Sequence, residues 1–151
     1  MNIDKLVLHA YAELSEVDAD IKERRFSEAM VRARSLLDML ANNKRASANH
    51  VNYRLIKPEL DKITREAVAV AYLAYGACLM QTNPFAAVIH LGHDMPTKEF
   101  KPLDSLRRNM QDEVYDSLTS DESSQRNRGE QPDETYIPSI AQSKNRYTAT
   151  I

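Results

Sequence analysis

The histidine side chains are the first candidates in this sequence for metal-ion or acid–base chemistry. The chain has four of them, and two lie in the run IHLGHDMPTK, residues 89–98, where His93 directly precedes Asp94. Imidazole and carboxylate groups bind divalent metals, but a site needs three or four ligands at compatible spacing. No histidine follows Asp94. We therefore predict neither a metal site nor a cofactor.

This His-Asp pair resembles the motif of the HD-domain metal phosphohydrolases. The resemblance implies an upstream histidine, for which His50 is available, and a downstream aspartate, for which Asp104 or Asp112 is available. Gly92 interrupts the helix that should present the pair. A loop histidine beside a helix C-terminus, where a cationic imidazole is favoured, explains the residues more simply.

The run RASANHVNY, residues 45–53, resembles the R-x4-H motif of the HEPN-type ribonucleases, which are small, helical and dimeric. The resemblance implies that Arg45 holds a phosphate and that His50 acts as acid or base. The position after the arginine, which is usually polar in that family, is Ala46. An exposed helix end and loop is the simpler interpretation. A small helical enzyme that acts on RNA or nucleotides through Arg45, His50 and His93 is retained as an alternative.

Glu13 and Glu16, in the run ELSEVD, form an ExxE pair that resembles one half of the metal motif of the MazG-related nucleotide pyrophosphohydrolases. That family pairs it with ExxxD on a second helix to hold Mg²⁺. In this chain Glu66 is followed four residues later by Val70, so the second half is absent. We expect both glutamates on the solvent side of the first helix.

Positive charge is concentrated in the middle of a mildly acidic chain. The net charge of the chain is −2, but residues 22–65 hold eleven basic and five acidic side chains, a balance of +6. A surface of this kind binds polyanions or acidic proteins, or is simply a solvated helix face. The candidate polyanion-binding residues are Arg24, Arg25, Lys44, Arg45 and Arg54.

Scarce glycine and helix-favouring composition predict an all-α fold. In residues 3–21, apolar side chains recur at steps of three and four, which predicts a helix packed along its whole length. These side chains are Ile3, Val7, Ala10, Leu14, Val17 and Ile21. Ser27 is a favourable N-cap for a second helix, over about 28–41. The two helices should form an antiparallel hairpin.

Three further helices are predicted from proline and glycine positions. Pro58 suits the first turn of a third helix that ends near Gln81. Asn83 and Pro84 mark the start of a short helix that stops at Gly92. Pro102 opens a last helix, which ends near Leu118.

The third helix contains AVAVAYLAYGACLM, residues 67–80, which carries no charge. Its fourteen residues fall short of the roughly 20 that cross a membrane. None of its faces is polar, so the helix should be enclosed by its own chain or by another subunit. Cys78 should be a buried thiol in a reducing compartment. We predict a homo-oligomer with Tyr72, Tyr75 and Leu79 at the interface.

The C-terminal part changes character. Residues 119–134 lack large apolar side chains and are predicted to be a flexible, disordered linker. Residues 135–151 regain large apolar side chains and are predicted to be an extended arm that docks onto another subunit. These side chains are Tyr136, Ile137, Ile140, Tyr147 and Ile151.

Together these patterns predict a bundle of four to five helices over residues 1–118, followed by the linker and the C-terminal arm. The function that fits best is a non-enzymatic interaction or assembly protein, by analogy of architecture with small phage structural or accessory components. We expect a cytoplasmic or virion-associated protein, neither secreted nor transmembrane, that has other protein subunits rather than a membrane as partners. Binding of nucleic acid or an acidic protein through the basic surface is a further alternative.

Overall fold

The computed structural model describes the backbone of residues 3–127 and the side chains of residues 5–120. This part of the chain contains five α-helices and no strand, so the predicted all-α class is confirmed. The helices are α1 (Ile3–Lys22), α2 (Phe26–Ser47), α3 (Tyr53–Thr82), α4 (Pro84–Leu91) and α5 (Lys101–Asn127). The predicted arm, with Tyr136, Ile137, Ile140, Tyr147 and Ile151, lies outside the described residues.

The chain divides into two compact units, Met1–Tyr115 and Asp116–Ile151. The first unit contains α1 to α4 and most of α5. In the second, the described residues continue α5 to Asn127. The helix thus includes residues 119–127 of the predicted linker. No proline or glycine interrupts this segment before Gly129, so nothing in the backbone chemistry stops the helix earlier.

The helices α1, α2 and α3 pack around one apolar core. The hydroxyl of Tyr11 donates a hydrogen bond to Glu59 at 2.8 Å, and seven residues further along each helix Asp18 and Glu66 line one cleft. α1 and α3 are therefore parallel, with α2 antiparallel to both. The predicted α1 seam is buried at Ala10, Leu14, Val17 and Ile21 and is joined by Leu6, whereas Val7 lies at the edge of the core.

The turn between α1 and α2 is held by ion pairs. Arg24 takes a left-handed backbone conformation (φ 62°), which is strained for a residue with a side chain and is a common way to end a helix. Buried Asp20 accepts from Arg25 at 2.6 Å and lies 2.9 Å from Nε of Arg32. These contacts fix the direction in which α2 returns along α1.

Two helix starts differ from prediction. α2 begins at Phe26, so Ser27 lies inside its first turn, and no side chain caps the N-terminus at Arg25. α3 begins at Tyr53 and contains Pro58 in its second turn. A proline there removes one backbone donor near the helix end, where the loss costs less than in the interior.

α4 follows α3 after a sharp corner that the sequence predicts correctly. The side chain of Asn83 accepts from the amide of Ala86 at 3.2 Å, and Pro84 occupies the first turn. Gly76 of α3 allows α4 to pack closely, because a Cβ atom there would lie 2.6 Å from Cδ2 of Leu91. The buried side chains of Ala87, Val88 and Leu91 complete this contact.

α5 is joined to α4 by a buried arginine. Arg107 donates to the backbone oxygen of Leu91 at 2.7 Å and to Asp104 at 2.9 Å. Asp104 also accepts from the hydroxyl of buried Thr97 at 2.8 Å. These hydrogen bonds tie α5 to α4, and they tie the loop between the two helices to α5.

Candidate interaction surface

An apolar strip on α3 is left partly exposed by the bundle. It consists of Val68, Tyr72, Tyr75, Cys78 and Leu79, and we call it the α3 strip. Val68 is 45 % and Tyr75 50 % exposed, Cys78 is exposed, and Tyr72 and Leu79 are half-buried. Positions 68, 72, 75 and 79 follow one face of a helix, so these side chains form a continuous row. The chain's own helices do not fully enclose this face.

The opposite faces of the same segment are enclosed as predicted. Several small and medium side chains of α3 lie in the core, namely Ala67, Ala69, Val70, Leu73, Ala74, Gly76 and Ala77. They occupy the sides that meet α1, α2 and α4. The uncharged run is therefore a core helix with one apolar face left over.

An aromatic cluster forms one edge of the α3 strip. The ring of His90, on α4, stacks on Tyr72 with 3.8 Å between ring centroids, and it meets Tyr75 edge-on at 5.2 Å. The Tyr72 hydroxyl donates to the backbone oxygen of His90, and His90 Nε2 lies 2.8 Å from the backbone oxygen of Tyr72. Burial raises the pKa of Tyr72. These contacts hold Tyr72 rigidly and leave one side of Tyr75 open.

Cys78 is exposed rather than buried, which corrects the expectation from its sequence context. The helix presents position 78 close to the outward row of Val68 and Tyr75, away from the enclosed faces. An uncharged run does not indicate which of its faces is covered, and this is why the sequence misplaced the thiol.

The structure places the candidate polyanion-binding residues in two separate groups. Arg24 and Arg25 lie at the α1–α2 turn and are engaged: Arg24 pairs with Glu113 at 2.5 Å, and Arg25 with Asp20. The Arg24 hydrogen bond lowers the pKa of Glu113. Lys44 and Arg45 lie in the last turn of α2, about 30 Å away, and Arg54 lies in the first turn of α3. The five residues do not form one patch.

The candidate catalytic residues are not brought together in a cavity. Arg45, His50 and His93 are all exposed. Arg45 donates to Asn42 at 2.6 Å, and the His50 ring accepts from the amide of Asn52 at 3.1 Å. Among the side chains of residues 5–120, no cluster of three or more histidine, cysteine or acidic residues could hold a metal ion. The geometry gives these residues helix-end and loop roles.

A polar cleft lies between α1 and α3. It has a volume of about 470 Å³ and contains Asp18, Lys22 and Glu66. Burial and a hydrogen bond with Asp18 raise the pKa of Glu66 to about 7. Glu13 and Glu16 do not line this cleft, and Glu16 pairs instead with Arg32 at 2.8 Å. When Glu66 is protonated, the two facing carboxyl groups can share that proton.

Neither the acid pair nor buried Arg107 is singled out by the sequence. Glu66 is the last charge before the apolar run and begins an incomplete ExxxD pattern, and Arg107 carries no pattern that separates it from neighbouring Arg108. Which of two adjacent charged residues is buried depends on the angle at which α5 packs. That angle is a tertiary property.

By length and composition α3 could also cross a membrane, and it is the one helix among the described residues that passes this test. The bundle buries 44 % of the relevant segment, and the core helices of water-soluble folds pass the same test.

Comparison of the chain with models of protein families, with curated proteins and with solved structures finds no match.

Proposed function

We propose that this protein is a non-enzymatic assembly protein that forms homo-oligomers through the α3 strip. The observation that carries the proposal is the continuous row of apolar side chains that the bundle leaves open on α3. Tyr75 is the central residue of this row, since it is half-exposed beside the rigid Tyr72–His90 stack. Tyrosines held in this way are typical anchors of protein interfaces, because ordering them on binding costs little entropy.

The size of the strip determines how strong such an interface can be. From Val68 to Leu79 the strip extends over about 16 Å of helix, which supplies a few hundred Å² at most. A stable interface buries about 800 Å² on each partner. The strip alone therefore supports weak, concentration-dependent association, and a tight oligomer requires further apolar surface.

The predicted arm, residues 135–151, is the natural source of that surface. It carries five large apolar side chains in a segment otherwise rich in small and polar residues. In our proposal two copies meet along their α3 strips, and the arm of each adds contact area to the other. Small phage structural or accessory components share this plan of a bundle with an arm, and we propose that class of role.

Sedimentation velocity on matched variants tests the proposal. Tyr75→Glu places a charge in the α3 strip and should shift the full-length protein from oligomer to monomer at concentrations of about 10–100 μM, a range suited to weak interfaces. Val31→Glu is the matched control, because Val31 is an exposed apolar residue on α2, outside the strip. This control should sediment like the unmodified protein.

A monomeric full-length protein at the highest concentration would contradict the proposal, as would equal effects of the two substitutions. The alternative of an RNA- or nucleotide-acting enzyme draws no support from the polar cleft, because neither Arg45 nor His50 lines it. It is tested by assaying turnover of RNA and nucleotides: activity that is lost in His50→Ala would support this alternative.

A further inference from the structure

The end of the bundle opposite the α1–α2 turn exposes aliphatic side chains to an unusual degree. Val51 is 81 %, Leu55 74 % and Leu8 71 % exposed, and these are three of the four most exposed large apolar residues among those described. Val51 lies in the turn before α3, Leu55 in its first turn, and Leu8 near the start of α1.

These three side chains belong to one end of the first unit. The hydrogen bond between Tyr11 and Glu59 sets α1 and α3 in register. Leu8 lies about one turn before Tyr11 and Leu55 about one turn before Glu59, so both occupy the same level of two parallel helices. Val51 is one further turn towards the tip. The loop between α2 and α3 therefore presents a convex apolar edge.

Basic side chains surround this edge. The segment 42–58 contains Lys44, Arg45, Arg54 and Lys57 and no acidic residue. Lys57 pairs with Asp61 at 2.7 Å, whereas Arg45 donates to a neutral partner, Asn42. Lys5 adds an exposed cation on α1, near Leu8. We call this surface, formed by Leu8, Lys44, Arg45, Val51, Arg54 and Leu55, the basic tip.

We propose that the basic tip docks on an anionic lipid surface, with Val51 and Leu55 entering the headgroup region and the cations facing lipid phosphates and carboxylates. Aliphatic side chains on a convex edge ringed by cations fit a fluid bilayer, which deforms around them and offers negative charge everywhere. A protein surface that binds single-stranded nucleic acid would instead offer aromatic side chains on which the bases stack. Here Tyr53 is buried and the hydroxyl of Tyr11 is engaged by Glu59.

This peripheral contact differs from a membrane span. The expectation of no membrane partner came from the length of the apolar run in α3, which has no bearing on exposed side chains at a helix end. The basic tip is also distinct from the α3 strip, since Val51 and Val68 lie about 25 Å apart along α3. The two proposals can therefore fail separately.

Vesicle co-sedimentation with the full-length protein tests the inference. Vesicles of phosphatidylcholine with about 30 % phosphatidylserine should bind the protein at low salt, and pure phosphatidylcholine vesicles should bind it much less. The triple variant Lys44→Gln, Arg45→Gln, Arg54→Gln should lose about 100-fold in affinity, since each cation near an anionic membrane contributes roughly a factor of five. Val51→Ser with Leu55→Ser should lose about tenfold.

A second triple variant controls for net charge. This variant carries Arg34→Gln, Lys98→Gln and Lys101→Gln, which remove three exposed cations outside the basic tip. It should bind vesicles with an affinity within about twofold of that of the unmodified protein. All substituted residues are exposed, so circular dichroism should show the same helix content throughout.

Three results would overturn the inference. The first is no binding to the anionic vesicles, and the second is equal loss of binding in both triple variants. The third is tight binding of single-stranded RNA that depends on Arg45 and Arg54 but not on Val51 and Leu55, with vesicle binding insensitive to the same serine substitutions.

Discussion

Arg107 is a charged side chain that the fold uses as a structural element. Its guanidinium is buried between α4 and α5, where it satisfies the backbone oxygen of Leu91 and the carboxylate of Asp104. The hydrogen bond from Arg107 lowers the pKa of Asp104. The contact therefore adds its full contribution to the free energy of unfolding at pH values above the ordinary pKa of an aspartate. This contribution is lost as the pH falls through the lowered pKa of Asp104.

Arg107→Met should lower the free energy of unfolding by about 2 kcal/mol, because the Leu91 oxygen is left buried without its donor. Arg108→Met is the matched control. Arg108 is exposed and lies 3.7 Å from the same carboxylate, so its removal should cost less than about 0.5 kcal/mol. Urea denaturation measures both values, and equal losses in the two variants would contradict the assigned role.

The Asp18–Glu66 pair gives stability a pH dependence of the opposite sign. The pKa of Glu66 is raised from 4.5 to about 7, so between these values the folded protein holds more protons than the unfolded chain. Stability should therefore fall as the pH rises from 4.5 to 7. Lys22 and Lys62 act against this effect by favouring the ionised form.

Glu66→Gln should remove this dependence. At pH 8 the variant should be more stable than the unmodified protein by about 1–2 kcal/mol, because solvent in the open cleft screens part of the interaction, and at pH 4.5 the difference should nearly vanish. Urea denaturation at both pH values measures the change. Asp112→Asn, which removes an exposed charge on α5, should leave the pH profile unchanged. An identical profile for Glu66→Gln and the unmodified protein would show that the pair does not share a proton.

The helices themselves were largely predictable. Apolar spacing located α1, and Asn83, Pro84 and Gly92 marked α4 to the residue, because a cap, a proline and a glycine act through local backbone chemistry. The starts of α2 and α3 were predicted too late, since Ser27 and Pro58 are tolerated within the first two turns as well as at the first helical positions. Tertiary packing extends these helices beyond their local signals.

Gly76 sets how closely α3 and α4 pack. Gly76→Val should lower the free energy of unfolding by about 2 kcal/mol, because its side chain would overlap buried Leu91. In this variant, hydrogen exchange should accelerate more at the α4 amides than at the α1 amides, each compared with the unmodified protein. Ala71→Val, on the more accessible side of the same helix, controls for the lower helix propensity of valine and should cost less than about 1 kcal/mol. Equal effects would mean that close packing at Gly76 is unimportant.

At the scale of the whole molecule, the sequence named Tyr72, Tyr75 and Leu79, three residues of the α3 strip, but did not predict that Cys78 is exposed beside them. An uncharged run of fourteen residues indicated that a helix is nearly surrounded, and most of α3 is indeed in the core. Which face stays open depends on where α2 and α4 cross α3. For the same reason the candidate polyanion-binding residues, which all lie in the basic middle of the chain, are divided in space between the α1–α2 turn and the basic tip.

Truncation after Asn127 separates the contribution of the arm from that of the α3 strip. The shortened chain should keep its helix content but associate at least about tenfold more weakly, because burial of even two large apolar side chains exceeds the free energy of that factor. Light scattering over a concentration series measures the change. An unchanged mass at every concentration would remove the arm from the interface and leave the strip as its only proposed component.

The alkylation rate of Cys78 tests the central claim most directly, because this thiol is the chain's single cysteine and lies in the α3 strip. The rate per chain should fall several-fold as the protein concentration rises from about 1 μM to about 200 μM, the range over which a weak interface fills. In Tyr75→Glu it should stay at the dilute value. A rate that is fast and independent of concentration in the unmodified protein would mean that the strip remains open to solvent, and the proposed assembly through α3 would be wrong.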